Sequence, residues 1–247
     1  MSPNLLVIVA RAPVPGTAKT RLAATIGADR ACALYRAFLT DLANRFPPPN
    51  APYDFVWAFT PADADFRAIV AGLAARPIAP NTLFVPQDGD TFNDRLTNVF
   101  HWAFVRGYHR VSIMASDSPQ LPARVATDAF ASLAGHDVTL GRVSDGGYYL
   151  IGLSRFSTLL LDLPMSTPNA ADALAARARA LHLSLGDISP SFDIDEERDL
   201  HQLRLALAPD GATAPATWGT LRQLGLADGA FARADLVAAG DVASADD

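Results

Sequence analysis

Apolar and polar positions alternate in blocks along the first half of the chain. "LLVIVA" (5–10) is a continuous apolar run of strand length bounded by turn residues. That is the pattern of a strand buried on both faces, the habit of parallel sheets. Comparable runs recur at 53–59 ("YDFVWAF"), 82–87 ("TLFVPQ") and 110–116 ("RVSIMAS"). Segments with helical spacing lie between them: 18–26, 28–46 beyond a break at Gly27, 62–75, 91–106 and 122–134. Such β-α alternation predicts an α/β, Rossmann-like fold, with a mostly parallel central sheet and helices on both faces. The rhythm then changes. "DVTLGRV" and "YYLIGL" flank "SDGG" with no helix between them, which predicts a hairpin and a small antiparallel element. Residues 155–180 read as helix with a break at "LPMSTPN", "LHLSLGD" as a last short strand, and "SFDIDEERDL" as the start of a helix running to about 207. Residues 1–207 are therefore expected as one domain, and 208–247 as a C-terminal extension, partly helical at "TWGTLRQLGLA" with a frayed end.

Composition narrows the partners. The net charge is −6, which does not favour nucleic acid or an anionic membrane, so any anion must be held by a local cluster of cations. Cys32 is the only cysteine, which excludes an internal disulfide. The first residues lack a basic leader and no apolar run reaches membrane-spanning length, so a cytoplasmic protein without a membrane span is expected.

Against this acidic background the loop "ARAPVPGTAKTRL" carries Arg11, Lys19 and Arg21, and Lys19 is the only lysine in 247 residues. A strand-to-helix loop offers helix N-terminal amides and cationic side chains to one anion, which suits a polyphosphate. It is neither a Walker A loop nor G-x-G-x-x-G, since Gly16 is its only glycine. As exposed loop charges, these cations are expected to matter for binding and little for stability.

Carboxylates form the second group. Asp117 emerges from the fourth strand and suits a hard ion such as Mg²⁺ or Mn²⁺, or else a helix cap or Asx-turn. Asp193 and Asp195 stand two apart, so in an extended segment both face one side; Asp195 is alternatively the cap of the following helix. Asp145, beside Gly146 and Gly147, can hold a substrate hydroxyl. Other chemistries are not supported: G-x-S-x-G and H-E-x-x-H are absent, and the histidines show no metal spacing.

Taken together, "ARAPVPGTAKTRL", "ASDSPQLP", "GRVSDGGYYLIG" and "FDIDEERDL" resemble the DUF2064 family of glycosyltransferase-like proteins, over residues 4–207. That family has the GT-A, or nucleotide-diphospho-sugar transferase, fold and is similar to the molybdenum-cofactor and 2-phospholactate nucleotidyltransferases. The resemblance implies nucleotide binding by Ala10, Arg11, Gly16, Lys19, Arg21 and Arg95, with Lys19, Arg21 and Asp117 catalytic. It implies a metal held by Asp117, Asp193 and Asp195, and an acceptor side at Asp145, Gly146, Gly147 and Ser166. Met165 stands where relatives carry tryptophan, and Asn93 where they show glycine. Asparagine tolerates left-handed backbone, so that turn is expected to survive.

The expected function is a Mg²⁺-dependent transferase with a nucleotide donor and a small-molecule acceptor. Nucleotidyl transfer from an NTP to a phosphorylated or hydroxyl acceptor comes first, because a triphosphate leaves more charge for the loop to neutralise. Glycosyl transfer from an NDP-sugar is the alternative. A non-catalytic nucleotide-binding module would keep the loop but not need the carboxylates.

Overall fold

The structure is a computed structural model and describes residues 2–46, 51–80, 82–160, 163 and 169–227. Its first half follows the expected alternation: β1 (Asn4–Arg11), α1 (Thr20–Ile26), α2 (Ala28–Arg45), β2 (Asp54–Thr60), α3 (Phe66–Leu73), β3 (Leu83–Pro86), α4 (Phe92–Val105), β4 (Arg110–Ala115) and α5 (Arg124–Ser132). Then come β5 (Val138–Val143), β6 (Tyr148–Leu153), α6 (Ala170–Ala180), β7 (Leu185–Ser191), α7 (Asp199–Leu207) and α8 (Pro215–Gln223). One sheet results, in the order β3-β2-β1-β4-β6-β5-β7. β6 runs antiparallel to both β4 and β5, while the other pairs are parallel.

β1 shows why its run is unbroken. Leu6, Ile8 and Ala10 join the core under α1, α2, α3, α5, α7 and α8, whereas Leu5, Val7 and Val9 join the core under α4 and α6. Both faces are covered, so alternation would place polar atoms in a core. Gly27 (φ 90°) separates α1 from α2 with a backbone that other residues rarely adopt. At α4, Thr91 and Asp94 form a reciprocal capping box. Among the described residues no helix is long and apolar enough to cross a membrane.

Two expected elements differ. Of 155–180, only Ala170–Ala180 is helical among the described residues. Residues 154–160 form bends and turns, in a stretch whose Ser and Thr hydroxyls compete for backbone groups. "PMSTP" (164–168), including Met165 and Ser166, lies outside the described residues, as does 228–247. "FDIDEER" is not the start of a helix either. β7 runs to Ser191, the next residues stay irregular, and α7 begins only at Asp199. The cause is tertiary: the Ser118 hydroxyl and the Gln120 amide donate to Phe192 O at 2.8 and 2.6 Å, and Ile194 N–H donates to Asp117 O at 3.0 Å.

The C-terminal segment packs into the same core. Asp41 of α2, 3% exposed, accepts from Ala216 N and Thr217 N at 2.9 and 2.8 Å and so caps α8, while Leu221 and Leu226 are buried below it. Asp41→Ala is expected to cost about 2 kcal/mol in chemical denaturation, the upper end for a lost cap, because the orphaned amides stay buried. A loss under about 0.5 kcal/mol would show that α8 is held by packing alone.

Candidate functional site

β1 has β2 on one side and β4 on the other, so connections diverge at this seam and leave a crevice beyond the carboxyl ends of the strands. The loop after β1 and the loop after β4 meet there. Lys19 heads α1 in the left-handed conformation (φ 52°), one of two non-glycine residues with positive φ among those described. Its side chain is 5% exposed, and Nζ lies 2.9 Å from Asp117 Oδ1 and 3.0 Å from Asp195 Oδ1. Burial alone would lower the Lys19 pKa; Asp117 and Asp195 outweigh it, and the net shift is upward. Arg21 bonds the second oxygen of Asp195 and lies 3.7 Å from Glu196. The cations expected to be exposed and free for phosphate are thus different in kind: Lys19 is buried, and both it and Arg21 are already paired with carboxylates.

Ile194 is fully buried, so its neighbours Asp193 and Asp195 face the cleft together, as the two-residue period predicts. Asp195 does not cap α7. Asp199 instead accepts from Asp195 N at 2.9 Å and Glu196 N at 2.7 Å, which frees the Asp195 carboxylate for Lys19 and Arg21. Burial, and then the negative charges of Asp195, Asp145 and Asp117, push Asp193 up to about 6.

The "SDGG" segment is the turn of the β5–β6 hairpin. Asp145 Oδ1 accepts from Gly147 N at 2.9 Å, and Gly146 takes φ 90°. Two cavities adjoin at the crevice. One, of about 310 Å³, is lined by Ala10, Arg11, Lys19, Arg21, Gln87 and Arg95. The other, of about 780 Å³, carries Asp145, Gly147 and Asp193. Asp117, Asp195, Arg21 and Phe92 border both. Gly16 and Gly146 shape their turns but line neither cavity. Arg11 Nη1 donates to Thr17 O at 3.2 Å, and Arg95 reaches Gly89 O at 3.5 Å while its buried Nε has no partner among the described residues. Asn93 does not form a left-handed turn: it lies in the first turn of α4, and its amide donates to Leu163 O at 2.7 Å.

Residues not singled out in the sequence also build the site. The buried Tyr35 hydroxyl accepts from Arg11 N at 3.0 Å and bonds Ser116 Oγ at 2.9 Å, tying α2 to both loops. Burial, and then Asp117, push it up to about 12. Its place in the apolar stripe of a helix hides it. Gln87 donates from Nε2 to Ala58 O at 2.8 Å and Ala10 O at 3.4 Å, which fixes its amide with Oε1 as the remaining acceptor. Its position at the carboxyl end of a parallel strand is a signal that finds it.

Asp117, Asp193 and Asp195 are hard oxygen donors. Among the described residues no three such side chains converge into a ready metal cage. Mg²⁺, however, is usually held by one or two carboxylates, with phosphate and water completing its shell. Asp193 is raised first by burial and then by its carboxylate neighbours, and Asp117 with Asp193 or Asp195 is the pair that could hold such an ion.

Residues 54–167 match the family described as "Uncharacterized protein conserved in bacteria (DUF2064)". The matched segment holds Asp117, Asp145 and Gly147, while Lys19 and Asp193 lie outside it. A provisionally named nucleotide-diphospho-sugar transferase from Desulfovibrio desulfuricans G20 is 27% identical, with TM-score 0.80 over 90% of this chain and 95% of that one. 4-Diphosphocytidyl-2C-methyl-D-erythritol synthase from Anaerococcus prevotii DSM 20548 is 7% identical, with TM-score 0.52 over 84% of this chain and 100% of that one. The latter likeness is one of fold. No curated protein matches the chain.

Proposed function

We propose that this protein is a transferase that takes a nucleotide donor, with glycosyl transfer from an NDP-sugar as the first reading. The observation that carries it is the paired cavities, cations in one and carboxylates in the other, bordering on Asp117 and Asp195. The expectation of a triphosphate rested on three free loop cations. With Lys19 and Arg21 paired to carboxylates, Arg11 and Arg95 remain the loop-side cations that, among the described residues, hydrogen-bond main-chain carbonyls, which suits a diphosphate better. The 27% identical relative, named as a nucleotide-diphospho-sugar transferase, points the same way. Nucleotidyl transfer from an NTP is the second reading, favoured by the fold shared with the erythritol synthase.

In the first reading, the acceptor hydroxyl oxygen bonds to the anomeric carbon and the bond from that carbon to the diphosphate oxygen breaks. The diphosphate leaves with the electron pair, and the hydroxyl proton passes to a carboxylate on the acceptor side, where Asp145 and Asp193 stand. Arg11 and Arg95 would bind the diphosphate, and Asp117 with Asp193 or Asp195 would hold Mg²⁺ or Mn²⁺. Such an ion supplies charge neutralisation on the leaving diphosphate.

A thermal-shift panel of NDP-sugars and NTPs with Mg²⁺ tests the reading. At least one NDP-sugar is expected to raise the melting temperature, and Arg95→Met to reduce that response. A response to NTPs alone would establish the second reading, and no response to any nucleotide would end both.

A further inference from the structure

We infer that the larger cavity takes an uncharged alcohol with an apolar body as the group acceptor, and excludes a phosphorylated one. This rests on the transferase reading and selects between the two acceptor classes that the sequence left open. The cavity of about 780 Å³ is walled by Val9, Phe92, Leu96, Ile113, Tyr148 and Ile151. That is room for a molecule of many heavy atoms, with apolar side chains for its body and polar groups at the rim. Phe92 is 40% exposed although large and apolar, and it stands where the two cavities meet.

The polar rim decides the charge. Asp117, Asp145, Asp193 and Asp195 all border the space. Its cations are Arg21 and Arg198, and both are engaged: Arg21 by Asp195 and Glu196, Arg198 by Glu196 at 3.2 Å and Asp199 at 3.9 Å. The Gly147 N–H, a natural phosphate donor at a glycine turn, is spent on Asp145. A phosphate dianion needs several charge-assisted donors, and here it meets carboxylates. A hydroxyl needs only an acceptor for its proton, which these carboxylates supply. The contrast with the smaller cavity is internal to the protein, since Arg11 and Arg95 there hydrogen-bond main-chain carbonyls among the described residues.

The test uses 2-phenylethanol and 2-phenylethyl phosphate with methyl-labelled full-length protein at pH 7.5, read by methyl NMR. The alcohol is expected to shift the Leu96, Ile113 and Ile151 methyl signals, and the phosphate to bind at least about tenfold more weakly. The double variant Asp145→Asn/Asp193→Asn, which relieves like-charge crowding, is expected to narrow that gap to less than about threefold. Equal or tighter binding of the phosphate, or no response to either compound, overturns the inference. Donor binding is read separately by the nucleotide panel. Failure there removes the transferase reading, whereas a phosphate preference with intact donor binding removes only the acceptor class.

Discussion

Lys19→Met is expected to lower the melting temperature by roughly 5–15 °C. The side chain is 5% exposed and lies between Asp117 and Asp195 at 2.9 and 3.0 Å. Removing one member of a buried ion pair leaves the others as uncompensated charge, at about 3–5 kcal/mol when burial is complete. Asp117 and Asp195 are 35% and 21% exposed and keep some water, so the expected loss is about 2–4 kcal/mol. Methionine keeps the length and the β-carbon, so the cost of a left-handed backbone at this position is unchanged. Lys19→Gly removes that cost, about 1–2 kcal/mol, and is expected to be the milder substitution despite losing the same charge. Adding Asp117→Asn to Lys19→Met should restore part of the loss, since the crowded carboxylates then carry one charge fewer. A melting temperature for Lys19→Met within a degree or two of the parent would return Lys19 to the status of an exposed loop charge.

Chelation of divalent ions is expected to weaken donor binding by at least about tenfold in titration calorimetry. In the structure Lys19 and Arg21 face Asp117, Asp195 and Glu196, so a diphosphate arriving alone must compete with carboxylates for both cations. If Asp117 and Asp195 held Mg²⁺, Lys19 would lose both of its carboxylate partners and could turn towards the phosphates. The double variant Asp117→Asn/Asp195→Asn leaves the cations less tightly held and is expected to shrink the effect of EDTA to under about threefold. Equal affinities with Mg²⁺ and with EDTA would mean that the cations reach the donor without help, and the metal reading would be withdrawn.

The parts of this molecule that were readable in the sequence are those set by local pattern. The apolar run of β1 announced burial on both faces, and "SDGG" announced the hairpin. Asp193 and Asp195 were readable as a pair because Ile194 between them goes to the core. What local pattern did not contain is who pairs with whom across the chain. Lys19 and Asp195 are 176 residues apart, and nothing in a cationic loop says that its lysine is turned inward. Likewise "DIDEERDL" has the composition of a helix start. The donors that hold its first residues extended come from Ser118 and Gln120, on the far side of three intervening strands and two helices in sequence. Asp199, the first residue of α7, instead accepts from the upstream amides of Asp195 and Glu196, a pairing that the composition of the segment does not announce.

The reversed strand β6 has a consequence for how specificity divides. Because it runs against its neighbours, its starting end, with Asp145 and Gly147 just before it, arrives at the same rim as the finishing ends of β1 and β4. The rim therefore draws its two halves from different stretches of chain. One is the N-terminal stretch with Arg11, Lys19 and Arg95, and the other is the later hairpin and the segment around Asp193. On the proposed assignment, donor choice and acceptor choice are modules that can be exchanged separately: a transplanted hairpin would change what is modified while leaving what is delivered intact.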